Sequence, residues 1–175
     1  MNKLKRSDLL SLEEYNSNRE QLRGQVLTLK KDRRVQIGSN VTLLFENTDT
    51  IKYQVQEMLR IEKIMEQNGI EEELATYNPL IPDGSNLKAT MLIEFPDEVI
   101  RKEKLGQLIG VEHKVWLQVG ENDRIFAIAD EDLKRKTEEK TSVVHFLRFE
   151  LSNLMVKDLQ SDSTLFAGVD HPNYN

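Results

Sequence analysis

The sequence predicts an α+β fold, in which a mainly antiparallel sheet packs with two long helices and several shorter ones. The strand-like segments follow one another as hairpins, an order that is typical of antiparallel sheets. Two longer segments repeat apolar residues every three or four positions, as helices with one buried face do. The chain of 175 residues contains no internal repeat and no linker rich in Pro, Gly or Ser. We therefore expect a single domain that spans residues 1–175.

The first part of the chain predicts the two long helices. One covers about residues 7–31, as one helix or in two pieces, and one helical face contains Leu12, Tyr15, Leu22, Val26 and Leu29. The basic run LKKDRR ends this helix, because cations suit the negative end of a helix dipole. The second helix covers about residues 49–67. The cluster Asn47-Thr48-Asp49 is predicted to cap its start, and Asn68-Gly69 is predicted to end it.

Short strands and helices are predicted for the rest of the chain, with turns marked by Gly, Asn, Asp or Pro. The predicted strands cover residues 35–37, 41–45, 87–95, 114–119, 124–129, 143–151 and 164–169. The predicted shorter helices begin near Glu71, Pro96 and Asn153. The charged segment 130–142 is predicted to be a solvated helix or a loop. We expect the last strand to complete the antiparallel sheet, with Tyr174 packing back on the body of the protein.

Composition and charge exclude several classes of function. The formal net charge is -6, whereas nucleic-acid binding needs a surplus of Lys and Arg. The chain contains no cysteine, which excludes thiolate catalysis and iron–sulfur ligation by its own residues. The N-terminal segment lacks the apolar core of a signal peptide, and no apolar run is long enough to cross a bilayer. We expect a cytoplasmic protein that binds neither nucleic acid nor a membrane, and its oligomeric state stays open.

Charged residues on apolar helical faces are the first candidates for a site. On a helical wheel, Glu62 lies near the middle of the apolar face of the second long helix, and Gln54 lies at its edge. Arg19 lies among the apolar residues of the first helix. Because a buried charge is costly unless it is paired, we predict an Arg19–Glu62 ion pair that Gln54 and Tyr15 help to satisfy. The pair would be either a structural salt bridge or part of a polar-ligand site.

The histidines are the other candidates. His145 shares a predicted strand face with apolar residues, which is more typical of a core or rim position than of a ligand. His171 follows Asp170 in the closing segment, and this pair could ligate a metal with help from His145 or a glutamate. Neighbouring residues of an extended chain point to opposite faces, however, so we expect neither a metal nor a cofactor. The candidate ligand-binding residues are Arg19, Gln54, Glu57, Arg60, Glu62, His145 and His171.

Several segments together resemble a bacterial family known only as a domain of unknown function. The resemblance lies in LLSLEEY, LKKDRRVQIGSNVTLLFENTDTIKYQVQEMLRIE, EEELATYNPLIPDG, LKATMLIEF and the closing DHPNY. It covers nearly the whole chain. The resemblance implies a small cytoplasmic bacterial protein that associates with rubrerythrin-like diiron proteins and iron–sulfur oxidoreductases.

Two hypotheses from different classes follow. The first is an accessory or binding protein that serves oxidative-stress or electron-transfer partners. It would act by docking, because a chain with no cysteine and three histidines is poorly equipped to hold its own redox centre. The alternative is a small enzyme that uses carboxylate and histidine acid–base chemistry on a small polar substrate. None of the common nucleotide-binding or hydrolase motifs occurs in the sequence.

Overall fold

The computed structural model describes residues 3–129, 131 and 140–174. The chain divides into two compact units. The described residues of 1–33 and 46–84 form one, the helical unit, and those of 34–45 and 85–175 form the other, the β unit. Helices together with antiparallel sheets confirm the predicted α+β fold. Most of the segment 130–142, predicted as a helix or loop, lies outside the described residues.

The helical unit contains α1 (Leu12–Lys31), α2 (Thr48–Ile61) and α3 (Gln67–Tyr77). Capping boxes begin the first two helices, because a side chain there satisfies backbone N–H groups that have no helical partner. At α1, Ser11 and Glu14 each accept a hydrogen bond from the other's backbone N–H. At α2, Asn47 Oδ1 accepts from the Thr50 N–H at 2.9 Å, which confirms the predicted cap. No helix in the described part of the chain is long and apolar enough to cross a membrane.

The second long helix ends earlier than predicted. It stops at Ile61, and Lys63 adopts the left-handed region with φ 56°. Ile61, at the end of α2, and Met65, beyond the turn, are both exposed, so the buried face of α2 does not extend to either residue. The predicted stop at Gly69 is also wrong, because α3 begins at Gln67.

The core of the helical unit forms mainly on α2 and α3. The buried apolar residues are Leu4, Leu9, Ile51, Val55, Leu59, Ile70, Leu74 and Ile81. Helix α1 is 20 residues long, yet Tyr15 is its one buried residue. The described residues therefore cover only part of the apolar stripe predicted along α1.

The β unit contains two antiparallel sheets. The strands are β1 (Arg34–Ile37), β2 (Val41–Phe45), β3 (Asn86–Ile93), β4 (Val115–Val119), β5 (Ile125–Phe126), β6 (Ile128–Ala129), β7 (Val144–Glu150) and β8 (Leu165–Val169), with helices α4 (Glu98–Gln107) and α5 (Asn153–Gln160) between them. The larger sheet has the order β1-β2-β3-β7-β6, and the smaller has the order β5-β4-β8. The last strand is antiparallel as predicted, but it pairs with β4 in the smaller sheet.

One continuous segment joins the two sheets. Strand β5 pairs with β4, and β6 follows it directly and pairs with β7. Ala127 lies between them, is buried and donates its N–H to the Val115 carbonyl at 2.9 Å. A single apolar core, which includes Leu43, Met91, Leu117 and Phe149, therefore lies under both sheets.

Tyr174 fastens the C-terminal segment to the β1–β2 hairpin. Its hydroxyl accepts hydrogen bonds from the N–H groups of Asn40 at 3.2 Å and Val41 at 3.0 Å. The hydroxyl also donates to the Ile37 carbonyl. Gly38 has φ +60°, and a Cβ there would lie 2.8 Å from the Tyr174 hydroxyl. Position 38 therefore requires glycine, both because its backbone is left-handed and because the Tyr174 side chain leaves no room for a Cβ.

We expect Tyr174→Phe to lower the free energy of unfolding by about 1–3 kcal/mol, because backbone groups near the core lose their partner. Gly38→Ala should also destabilise the protein. The double variant should lose less than the sum of the two losses, because the hydroxyl that meets the new methyl group is absent. Urea denaturation measures all three values.

Gly110→Ala is the matched control, because its φ is +87° and, apart from its chain neighbours, no described residue has an atom within 4 Å of the new Cβ. Its effect should add to that of Tyr174→Phe. If the losses in free energy of unfolding for Gly38→Ala and Tyr174→Phe were fully additive, the contact between position 38 and the Tyr174 hydroxyl would be contradicted.

Candidate functional site

The carboxylate of Glu57, on α2, collects hydrogen bonds from three side chains. Tyr15 donates its hydroxyl to Oε1 at 2.7 Å. Arg19 donates from Nε to Oε1 at 2.8 Å and from Nη2 to Oε2 at 2.9 Å, a bidentate pair. Arg60 makes longer contacts of 3.4 and 3.3 Å. We call these four residues the Glu57 cluster.

Helical spacing brings the cluster together. Tyr15 and Arg19 lie four residues apart on α1, and Glu57 and Arg60 lie three apart on α2, so each pair shares a helical face. The side chain of Glu57 is 15% exposed, whereas those of Arg19 and Arg60 are 35% and 30% exposed. The carboxylate therefore lies beneath two partly solvated guanidinium groups.

The predicted Arg19–Glu62 pair is wrong, because Arg19 pairs with Glu57. Glu62 is exposed at the C-cap of α2, beyond its last turn. Gln54 is half-buried, and its side chain forms no hydrogen bond with the described residues. On a helical wheel Glu57 lies on the side opposite the main apolar face of α2, but α2 contacts α1 as well as α3. A helix that is covered on two sides has a second buried face that a single apolar direction does not show.

The charges of the cluster are fixed near neutral pH. The hydrogen bonds from Arg19 hold the pKa of Glu57 at about 2, well below the usual range of a carboxyl. Burial, followed by the hydrogen bond to Glu57, raises the pKa of Tyr15. The bond to Glu57 also raises the pKa of Arg19. Two guanidinium cations and one carboxylate leave the cluster with a net positive charge.

A cleft of about 440 Å³ adjoins the cluster at Tyr15. We call it the α1–α2 cleft, and its lining residues are Leu10, Tyr15, Leu22, Gln25, Val26, Leu29, Asp49, Lys52, Tyr53 and Gln56. Most of this wall is apolar or aromatic. The Lys30 ammonium lies 5.6 Å from the centre of the Tyr53 ring, a cation–π contact at the edge of the wall. The volume falls within the range of about 300–1,000 Å³ that is common for ligand sites.

Gln56 is a buried polar residue that the sequence analysis missed. Its Oε1 accepts from the Leu10 N–H at 2.7 Å, and its Nε2 donates to the Leu10 carbonyl at 3.4 Å. These bonds tie the segment before α1 to the wall of the cleft. The signal that could have found it is the spacing of Tyr53, Gln56 and Glu57, which marks a second face of α2.

His145 and His171 belong to the β unit, whereas the other candidate residues belong to the helical unit. His145 is fully buried on β7, and its Nε2 lies 2.8 Å from the Thr141 hydroxyl. The Nε2 of His171 lies 3.3 Å from the Ile109 carbonyl, and its Nδ1 accepts from the Asn173 N–H. The two rings thus bond to different residues. The described residues contain no cluster of three metal-ligating side chains.

Comparison with known proteins assigns the chain to a family. The family model described as "Protein of unknown function (DUF3501)" matches residues 3–175. The chain belongs to this family. A crystal structure described as a novel protein of unknown function from Burkholderia pseudomallei is 50% identical, and it superposes on this DUF3501 chain with a TM-score of 0.94. That match covers 99% of this chain and 90% of the other. A search of curated proteins found no match.

We expect Glu57→Gln to lower the free energy of unfolding at pH 7 by roughly 1–3 kcal/mol, because charge-assisted hydrogen bonds weaken. A carboxyl with a lowered pKa stabilises the fold above its unfolded pKa of about 4.3. That stabilisation is lost as the pH falls toward the folded pKa of about 2. The difference in free energy of unfolding between the parent and Glu57→Gln should therefore be constant near neutral pH and decrease on acidification.

Glu62→Gln is the matched control, and it should change stability by less than about 0.5 kcal/mol. Denaturation midpoints from pH 7 to pH 2.5 measure both variants. Equal losses for the two variants, or a difference that increases in acid, would contradict the role of Glu57.

Purified protein should carry less than about one equivalent of iron or zinc, because the sequence contains no cysteine and no two histidines at ligand spacing. Elemental analysis before and after treatment with a chelator tests this. One full equivalent of metal that disappears in His145→Ala or His171→Ala would overturn the expectation.

Proposed function

We propose that the protein is an accessory binding protein, and that the α1–α2 cleft holds an apolar helical segment of a protein partner. The observation that carries this proposal is the half-covered face of α1. Leu22, Val26 and Leu29 line the cleft and stay partly exposed along a helix whose one buried residue is Tyr15. A long helix gains most of its stability in a protein from packing, so an uncovered stripe of this kind suits a partner.

The spacing of the stripe suits a helix as its occupant. Leu22, Val26 and Leu29 follow the i, i+4 and i+7 pattern of residues that face one direction. The side chains of a second helix would pack between them, as in other helix-in-groove complexes. Asp49 and Lys52 line the cleft and have opposite charges. Complementary charges on the bound segment would fix its orientation.

The Glu57 cluster supports binding better than acid–base catalysis. A general base works best with a pKa near the working pH, whereas Glu57 has a pKa of about 2. Tyr15 and Arg19 both donate to this carboxylate, so its oxygens are occupied. The cluster instead fastens α1 to α2 and so sets the width of the cleft beside it. The small-enzyme alternative has no favourable observation at this cluster.

The class of partner rests on the family resemblance. We propose a rubrerythrin-like diiron protein or an iron–sulfur oxidoreductase, in the bacterial cytoplasm. The chain contains no cysteine of its own, so it would serve such a partner by docking and not by holding the cluster.

Affinity purification of the tagged protein from its native organism tests the proposal. We expect the parent and Leu27→Lys to recover the same redox partner, and Val26→Lys to recover at least about tenfold less, because a buried charge opposes docking. Leu27 is the matched control, since it neighbours Val26 on α1 but is exposed and lies outside the cleft lining. Circular dichroism checks that each variant is folded.

Leu29→Gln provides a milder change of the cleft wall if Val26→Lys proves unstable. Recovery of the same partner by all variants would contradict the cleft as the binding site. Recovery of no redox protein by the parent would contradict the partner class.

A further inference from the structure

The outer face of the small sheet in the β unit carries exposed aromatic side chains. Trp116 of β4 pairs with Phe126 of the neighbouring strand β5. On the other edge of β4, Trp116 pairs with Gly168 of β8, and Gln118 pairs with Phe166. Residues that are paired across antiparallel strands share a face of the sheet. Alternate residues of β4 point into the core, and these are Val115, Leu117 and Val119.

Neighbouring groups hold the Trp116 ring in one place. A Cβ on Gly168 would lie 2.4 Å from Trp116 Cζ2, so the indole lies directly against the backbone of β8. The Arg124 guanidinium lies 3.9 Å from the centre of the indole ring and stacks on it. Trp116 and Arg124 are therefore ordered before any partner arrives, which lowers the entropy lost on binding.

Arg124 has donor groups available for a partner. Its side chain is exposed, and among the described residues it contacts Trp116 but forms no ion pair with a carboxylate. By contrast, Arg19 and Arg148 each pair with a glutamate. A stacked guanidinium still presents its N–H groups at its edge, where a carboxylate can accept two of them.

Two phenylalanines extend the apolar surface around this cation. Phe126 is 46% exposed and Phe166 is 49% exposed. Tryptophan and arginine are among the residue types that dominate binding energy at protein interfaces, and aromatic residues are enriched there. Nucleic acid is a poor occupant, because the chain has a net charge of -6 and Asp123 adjoins Arg124.

We propose that this surface, the Trp116 face (Trp116, Arg124, Phe126 and Phe166), binds a protein segment in which a carboxylate is flanked by aromatic side chains. The carboxylate pairs with Arg124, and the flanking rings pack on Trp116 and the two phenylalanines. This face belongs to the β unit and does not rest on the function proposed for the α1–α2 cleft.

The intrinsic fluorescence of the full chain provides a direct test, because Trp116 is its single tryptophan. The probe is acetyl-Phe-Glu-Phe-amide, and acetyl-Phe-Gln-Phe-amide is its neutral counterpart. We expect a saturable change in Trp116 emission with the glutamate peptide and binding about tenfold weaker with the glutamine peptide, since a charge-assisted bidentate contact is lost. Arg124→Gln should abolish this preference, and Arg124→Lys should keep part of it.

Arg23→Gln is the control, because Arg23 is exposed on α1 and lies outside the Trp116 face. It should leave the preference unchanged. Isothermal titration calorimetry provides a second measurement that does not depend on any effect of Arg124 on the tryptophan emission. Equal binding of the two peptides, an unchanged preference in Arg124→Gln, or no binding at millimolar peptide would overturn the proposal.

Discussion

The helical unit depends on the hydrogen bonds that the Glu57 carboxylate accepts from α1. This carboxylate accepts hydrogen bonds from Tyr15 and Arg19 of α1, and Tyr15 is the one buried residue of that helix. Without these bonds, α1 would be held mainly by a half-exposed apolar stripe. The same carboxylate forms ion pairs with two guanidinium groups that remain partly exposed, so the free-energy cost of removing these charges from water is small. One acidic side chain thus fastens a 20-residue helix and leaves an open cleft beside it.

Much of the fold follows from local patterns in the sequence. The fold class, the Asn47 cap and the hairpin of β4 with β5 were predicted, because capping residues and strand alternation act over a few positions. The end of α2 was missed because Lys63, a residue with no special preference, adopts the left-handed turn that usually marks glycine. The position of β8 was missed because its partner is chosen by tertiary packing and not by its own alternation.

The candidate site was predicted in part. A buried charge must be paired, so the need of Arg19 for a carboxylate could be inferred from the sequence. The identity of that carboxylate could not be inferred, because the helical wheel assumes that α2 extends through Glu62 and shows a single apolar face. The cleft also has no sequence signature, since it results from how far α1 stands from α2. Likewise, Tyr174 was expected to pack on the body, but its bond to Val41 spans 133 residues and only the folded chain reveals it.

The proposed binding role and the shape of the α1–α2 cleft both depend on a Glu57 side chain that stays ionised near neutral pH. Carbon-13 NMR of the Glu57 side-chain carboxyl, followed across pH in the full chain, measures its ionisation directly. Assignment by comparison with Glu57→Gln identifies the resonance. We expect a carboxylate signal that stays constant from neutral pH down to about pH 4 and titrates near pH 2. A midpoint at or above the ordinary carboxyl value of about 4.3 would contradict this expectation, because the hydrogen bonds from Arg19 would then not stabilise the carboxylate.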